Sequence, residues 1–274
     1  MTEVPHRPTV LVLTPGTGGY YFGELLASLR REISRAGGRM VVVQTVPRHA
    51  PEDGLALSDF DSPVGWEHVA GAISVTTAAG APYLQRLREL GKPVVLISGR
   101  VPGFAAPSAV PDNSGGVRAA VEHLLAHGHQ RIGFVGNVGQ PDIADRYAAY
   151  LRTLADLGRP AAAEDLIPAG DNDWSGGEQA ARRLLARAER PTALVVATDR
   201  NAIGLIRTLT AGRVSVPGDV AVIGYDNVEQ AAFSEPPLTT VDQRFAEVGA
   251  LAARMVLRQL AGQPVEPGPH PAIR

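Results

Sequence analysis

The feature that most constrains this chain is a rhythm: short, unbroken runs of β-branched residues and leucine recur between segments of helical period. The runs lie at 10–13, 40–43, 72–75, 94–97, 132–135, 193–196 and 220–223. A strand with one wet face alternates apolar and polar residues, so runs without alternation suit strands buried on both faces of a parallel sheet. Between them, Phe22, Leu25, Leu26, Leu29 and Ile33 fall on one helical face, as do Val117, Val121, Leu124 and Leu125. Leu184 with Leu185, and Val248, Leu251 and Met255, continue the pattern. Gly37, Gly38, Gly91 and Gly128 stand where these helices should stop, and Ser114 and Asp199 suit N-caps. Alternating strands and helices predict the α/β class.

There are too many strands for one compact sheet, which predicts two Rossmann-like lobes, each a parallel sheet with helices on both faces. Pro111-Asp112-Asn113 reads as the crossing into the second lobe, and Pro236-Pro237-Leu238-Thr239-Thr240 as the return, because paired prolines end a helix and force extended backbone. The expected N-terminal lobe is then 1–111 plus 242–262 and the C-terminal lobe 112–241, with 263–274 an incomplete final return segment. Segment 45–66, rich in Pro, Asp and Gly, is expected to be a long loop. Ligands of open α/β sheets bind at strand C-termini, where loops and helix N-termini converge, so a ligand cleft between the lobes is expected.

Composition narrows the partners. Lys and Arg total 26 against 28 Asp and Glu, so no global positive field draws the chain to nucleic acid. The chain has no cysteine, which removes disulfides, thiolate metal sites and a cysteine nucleophile and suits a reducing cytosol. The N-terminal stretch carries no apolar signal-peptide core, and no apolar run approaches the roughly 20 residues that span a bilayer. A cytoplasmic protein with no membrane partner is expected.

Four motifs in the second half occur in a fixed order. They are the helix–turn–strand segment from Val121-Glu122-His123-Leu124-Leu125 through Gly128-His129 to Ile132; Pro191-Thr192-Ala193 leading to Thr198-Asp199; Val216-Pro217-Gly218-Asp219 leading to Gly224-Tyr225-Asp226; and Pro236-Pro237-Leu238-Thr239-Thr240-Val241. In order and spacing these resemble the LacI/GalR family of transcription regulators, and the likeness extends more loosely over residues 9–262. The resemblance implies the periplasmic binding protein-like fold, a homodimer, and a small-molecule effector, a sugar or sugar derivative above all. Family members carry about 60 residues of helix-turn-helix and hinge before the first strand, the part that reads DNA. Here that strand begins at Thr9, so DNA contact is expected only through a module not present in this chain. The C-terminus also looks short of the family's closing strand.

The candidate ligand-binding residues are Arg146, Asp226, Trp174, Thr198, Asp199, Tyr21, Phe22, Thr14 and Gln243. By the resemblance Arg146, expected to open a helix over 147–157, holds the position of the effector-binding arginine, whose planar fork grips hydroxyls or a carboxylate. Otherwise it is a surface residue paired with Asp142 or Asp145. Tyr150, four residues on, supports the placement, although Ala149 stands where the family usually has glycine. Asp226 ends a strand, where a carboxylate could accept from ligand hydroxyls or instead cap the helix after Asn227. Asp199 is best explained as the cap of a helix over 202–209, and Thr198 stands where relatives often have a ligand-binding asparagine. Trp174 holds the place where the resemblance puts an aromatic ring against the ligand, or staples the helix that follows it. Tyr21 and Phe22 could supply an opposite wall, Phe22 fitting the core stripe better. Thr14 opens a glycine-rich loop that matches neither nucleotide-binding motif. After the fourth strand, Ser98-Gly99-Arg100 lacks the Asp or Asn of many relatives, and Arg100 is either a ligand contact or a solvated rim residue.

No catalytic residue, cofactor or metal is assigned. His123 and His127 stand four apart with no glutamate between them, unlike zinc proteases, and no nucleophile elbow occurs. The expected function is therefore effector sensing rather than catalysis. The alternatives are the same sensor joined to a different output module, or a sugar-binding protein of a transport system. An electrophoretic shift assay with this chain at physiological salt should show no specific operator complex; a clean specific shift would overturn that expectation.

Overall fold

All seven apolar runs form strands; those inside the two sheets are covered by apolar helices on both sides, whereas the run at 40–43 lies at a sheet edge with Val41 exposed. The computed structural model describes residues 7–45, 65–76 and 78–272; residues 46–64 of the expected long loop lie outside them. In chain order the elements are β1 (Thr9–Thr14), α1 (Gly19–Arg35), β2 (Arg39–Gln44), β3 (Gly71–Val75), α2 (Ala81–Glu89), β4 (Val94–Ile97) and β5 (Pro107–Val110). Next come α3 (Asn113–Ala126), β6 (Ile132–Gly136), α4 (Pro141–Asp156), β7 (Leu166–Pro168), α5 (Trp174–Leu185), β8 (Ala193–Val196) and α6 (Asp199–Ala211). The last are β9 (Ala221–Asp226), α7 (Glu229–Ala232), β10 (Thr239–Asp242), α8 (Phe245–Leu260) and β11 (Gly268–Pro271).

The chain divides into two units, Met1–Pro111 with Arg244–Arg274, and Asp112–Gln243. The first holds a six-stranded parallel sheet in the order β11-β5-β4-β3-β1-β2. Successive residues of its central strands feed opposite cores. Val10, Val12, Ile73, Val75, Val95 and Ile97 pack with α1 and α8, while Leu11, Leu13, Val94 and Leu96 pack with α2. Two apolar faces per strand are why these runs do not alternate. The second unit repeats the design with a five-stranded parallel sheet, β10-β9-β8-β6-β7. Phe134, Val195, Ile223 and Tyr225 face α3 and α4, and Val135, Leu194, Val196 and Val222 face α5 and α6.

Several expectations are corrected. Segment 263–274, expected as an incomplete return segment, contributes a strand of its own: β11 pairs in parallel with β5 at the sheet edge. The residues read as the return crossing contribute β10 to the second sheet, and the chain leaves that unit only after Gln243. The caps also differ. Asp112, not Ser114, caps α3 by accepting from the Gly115 amide at 2.9 Å, and Thr198, not Asp199, caps α6 by accepting from Asn201 at 3.2 Å. The glycines past α1, α2 and α3 do take the left-handed conformation: φ is +76° at Gly37, +72° at Gly91 and +88° at Gly128.

α5 and α6 approach so closely that glycine is required on both. A Cβ at Gly177 would lie 1.9 Å from the Asn201 carbonyl oxygen, and one at Gly204 would lie 2.2 Å from that of Trp174. Both clashes are with backbone, which has no rotamer to retreat to. Gly204→Ala should therefore destabilise by at least ~3 kcal/mol, lowering the melting temperature by several degrees. The control is Gly23→Ala in α1, where a Cβ meets nothing within 4 Å; it should leave the melting temperature unchanged or raise it slightly. Equal melting temperatures for the two variants by circular dichroism would contradict this packing.

Candidate functional site

The densest polar cluster forms where the C-terminal ends of β8 and β9 meet the first turns of α3, α4 and α6. Arg146 lies in the second turn of α4, not at its start, since Pro141 opens the helix. Tyr150, one turn further, is fully buried and donates to the Ile132 carbonyl at 2.7 Å, which pins α4 to β6 and sets the direction of Arg146. The Arg146 side chain is 3% exposed. Its Nη1 donates to the Ala197 carbonyl at 2.5 Å and its Nε to Asn113 Oδ1 at 3.1 Å. The guanidinium lies 4.0 Å over the Tyr225 ring, a cation–π contact in a desolvated place. Tyr225 in turn donates to Asn113 Oδ1 at 3.2 Å, and burial raises its phenol to about 12.

Two carboxylates answer the guanidinium. Asp226 Oδ1 is 3.6 Å from Nη1, and Asp142 Oδ2 is 3.9 Å from Nη2. The surface reading of Arg146 is thus corrected: the contact with Asp142 exists, but the arginine is buried. Asp226 is held in a costly backbone conformation, φ +127°, followed by Asn227 at φ +57°. Such angles cost a non-glycine residue about 1–3 kcal/mol and persist only where the surroundings enforce them. Here Asn227 is held by the Thr240 hydroxyl and by Asp242, at 3.3 Å each. Asp226 also accepts from the Gln243 side-chain amide. Burial pushes the Asp226 carboxyl up to about 7, against the pull of Arg146. It does not cap α7, whose N-cap is Val228.

Asp199 has a different task. It is fully buried, accepts from the Thr240 hydroxyl at 2.6 Å on one oxygen and from the Val228 amide at 2.9 Å on the other, and so ties α6 to the loop after β9 and to β10. Burial raises its pKa, which these hydrogen bonds oppose. Gly224 makes the arrangement possible, because a Cβ there would lie 2.1 Å from Asp199 Oδ1. With no exposed surface, Asp199 serves the frame.

The remaining candidates fall into separate groups. Thr198 is buried and caps α6, close to the ends of β8 and β9. Trp174 does not join the cluster. It is the first residue of α5, 45% exposed, and lines a groove with α6 and α7 to which neither Arg146 nor Asp226 contributes. A staple would sit before the N-cap, so the staple reading does not fit its place as the first residue of α5. Thr14, Tyr21 and Phe22 belong to the first unit. Thr14 is fully buried and donates to the Gly16 carbonyl at 2.6 Å, closing its own loop. Tyr21 and Phe22 meet edge to face at 4.8 Å, Tyr21 meets Phe245 at 4.7 Å, and both pack on the α1–α8 core. A side chain at Gly99 would lie 2.8 Å from the Thr76 carbonyl, so this backbone has no room for the Asp or Asn of other family members.

Three residues of this site went unread in the sequence. Asn113 bridges Arg146 and Tyr225, and Tyr225 supplies the face beneath the guanidinium. Asn172 is the third: its Oδ1 is buried without a hydrogen-bond partner among the described residues. A buried amide oxygen left unmade costs about 1–3 kcal/mol, which a ligand donor would recover. Together these groups offer donors, a carboxylate and a free acceptor, the equipment for gripping a polar molecule.

The comparisons with known proteins agree with the fold. A family profile described as a periplasmic binding protein-like domain matches residues 121–273, more than half of the chain. The HTH-type transcriptional regulator MalR of Streptomyces coelicolor is 32% identical over 264 residues, covering 94% of this chain and 75% of that protein. Catabolite control protein A of Priestia megaterium is 30% identical, covering 94% and 76%. A LacI family regulator from Enterococcus faecium, solved with bound ribose, superposes with a TM-score of 0.76 at 26% identity, covering 96% and 95%. Fold and site therefore define a periplasmic binding protein-like effector-binding domain. The chain belongs to the LacI/GalR family of transcription regulators. No helix among the described residues is long and apolar enough to cross a membrane.

The Asp226 shift has a signed consequence. With its carboxyl raised from 3.8 to about 7, the folded state holds this proton more tightly than the unfolded state. Its contribution to stability is therefore greatest below pH ~4 and falls as pH rises towards ~7. Relative to wild type, Asp226→Asn should gain stability across that window, by as much as ~4 kcal/mol, and change little above it. Melting temperatures of both proteins from pH 4 to 8 check this, and a difference that is flat or shrinks with pH contradicts it.

Proposed function

We propose that this chain is the effector-sensing core of a LacI/GalR-type regulator acting in the cytoplasm. It takes a neutral, hydroxyl-bearing small molecule, a sugar or sugar derivative, at the strand ends around Arg146 and Asp226. Binding draws the lobes together and alters a homodimer that controls DNA through a helix-turn-helix module outside this chain. The observation that carries this reading is the buried Arg146–Asp226 pair. It offers N–H donors beside a carboxylate acceptor, the combination that vicinal hydroxyls need. Because Asp226 and Asp142 already answer the guanidinium, the site has no surplus positive charge for a phosphate or carboxylate. Thr198, Gln243 and Asn172 complete the proposed polar wall, with Tyr21, Phe22 and Thr14 as candidates from the first unit. The ribose bound to the similar Enterococcus faecium regulator makes ribose the first sugar to test.

The test is calorimetry with ribose, then other neutral mono- and disaccharides and their phosphates. A neutral sugar should bind, and Arg146→Ala and Asp226→Ala should each weaken it by at least ~10-fold, the effect of a lost charge-assisted hydrogen bond. If both variants bind that sugar as tightly as wild type, the site assignment is wrong. Tighter binding of a phosphorylated sugar than of its neutral parent would overturn the ligand class.

A further inference from the structure

The histidine pair of α3 plays no part in the site around Arg146. His123 lies in the last turn of that helix and His127 is its C-cap, one turn further along the same exposed face. The two rings stand with centroids 4.4 Å apart and planes tilted by 39°. His127 Nδ1 sits 2.8 Å from the His123 carbonyl oxygen. A carbonyl only accepts, so Nδ1 carries the proton and the lone pair of this imidazole is left on Nε2. A backbone carbonyl commonly fixes the tautomer of a metal-ligating histidine in this way. The His123 ring makes no hydrogen bond among the described residues, so either of its nitrogens can serve.

The spacing of the rings decides between metals. An ion about 2.0–2.1 Å from an imidazole nitrogen lies about 3.2 Å from the ring centre, so two rings on one ion stand about 4.5 Å apart at a right angle and about 5.2 Å apart at the tetrahedral angle. The observed 4.4 Å matches the right angle. Right-angled nitrogen ligands suit tetragonal divalent copper and nickel, and copper stands at the top of the affinity order for such sites. Zinc fits less well for a second reason. Its sites take three or four protein ligands, and among the described residues no third histidine or carboxylate completes such a group with the pair. The surroundings also favour a cation. The last carbonyls of the 14-residue helix carry partial negative charge, and one turn back stand Ala119 and Ala120 rather than a like-charged side chain.

We propose that His123 and His127 form a surface chelate for a divalent copper or nickel ion, with water filling the remaining positions. Bound metal clamps the last turn of α3. The site lies about 15 Å or more along the helix axis from Asn113, the residue of α3 that touches Arg146, so it does not depend on which effector binds. The test titrates the tag-free chain, in a buffer that does not coordinate metals, with copper(II) and nickel(II). Because the chain holds no cysteine, no thiolate competes for the copper or reduces it. Wild type should bind copper with coupling to two nitrogens in its electron paramagnetic resonance spectrum. His123→Gln and His127→Gln should each weaken binding at least ~10-fold, since even a residue that only orients a metal ligand is worth that much, and each should leave coupling to one nitrogen. His129→Gln should change nothing, because its Nδ1 is engaged with the Thr192 hydroxyl at 3.1 Å. Nickel should raise the melting temperature of wild type but not of the His123→Gln, His127→Gln double variant, as the unfolded chain does not hold the two rings in register. Unchanged circular dichroism spectra of the variants show that ligands, and not the fold, were lost. A wild-type chain that binds neither ion at ~100 μM overturns the proposal, as does a double variant that binds copper as tightly as wild type. Zinc bound more tightly than nickel overturns the right-angled geometry.

Discussion

The second unit is organised around a carboxylate that never meets water. Asp199 is fully buried at the head of α6, and its oxygens accept from Thr240 on β10 and from the Val228 amide beyond β9. Such a group is expensive to bury and is tolerated only when its lone pairs are filled. Once filled, it fixes the relative positions of three strand ends. That fixity lets the chain hold Asp226 and Asn227 at positive φ, a conformation that a looser frame would release. Gly224 is the small condition on which this rests, because any side chain there would occupy the space of the carboxylate.

Arg146 and Asp226 exploit that frame. Neither is a free surface charge: the guanidinium is spread over a carbonyl, an amide oxygen, an aromatic face and two carboxylates. A cation so widely shared is fixed in orientation before any ligand arrives, which lowers the entropic cost of recognition. The same sharing leaves the pair with no surplus positive charge.

The central strands were legible because burial on both faces leaves an unmistakable run of β-branched residues, as at 10–13 and 193–196. Three of the strands that escaped sequence reading, β7, β10 and β11, lie at sheet edges. There solvent relaxes the apolar demand and permits proline, as in Gly268-Pro269-His270-Pro271. The start of α4 was misplaced because a glycine-rich approach looked like loop, although Pro141 is a residue suited to a first helical turn. In the site, Arg146 and Asp226 were readable from strand-end position and from the family likeness. Asn113 and Asn172 were not, since nothing local marks an asparagine whose partner lies 33 residues away or whose oxygen has none. Trp174 drew attention by its rarity, yet its ring lines a groove to which neither Arg146 nor Asp226 contributes.

Gln243 gives the site a mechanical reach. It is the last residue before the chain passes out of the second unit, and its side chain is bonded to Asp226. Any molecule that draws on the Asp226 carboxylate must compete with that bond. Under the proposed function, losing that bond would release the residue next to the connecting peptide, where Arg244 is held at φ +54°. The strand end proposed to grip a ligand and the strap that leaves the unit share one hydrogen bond.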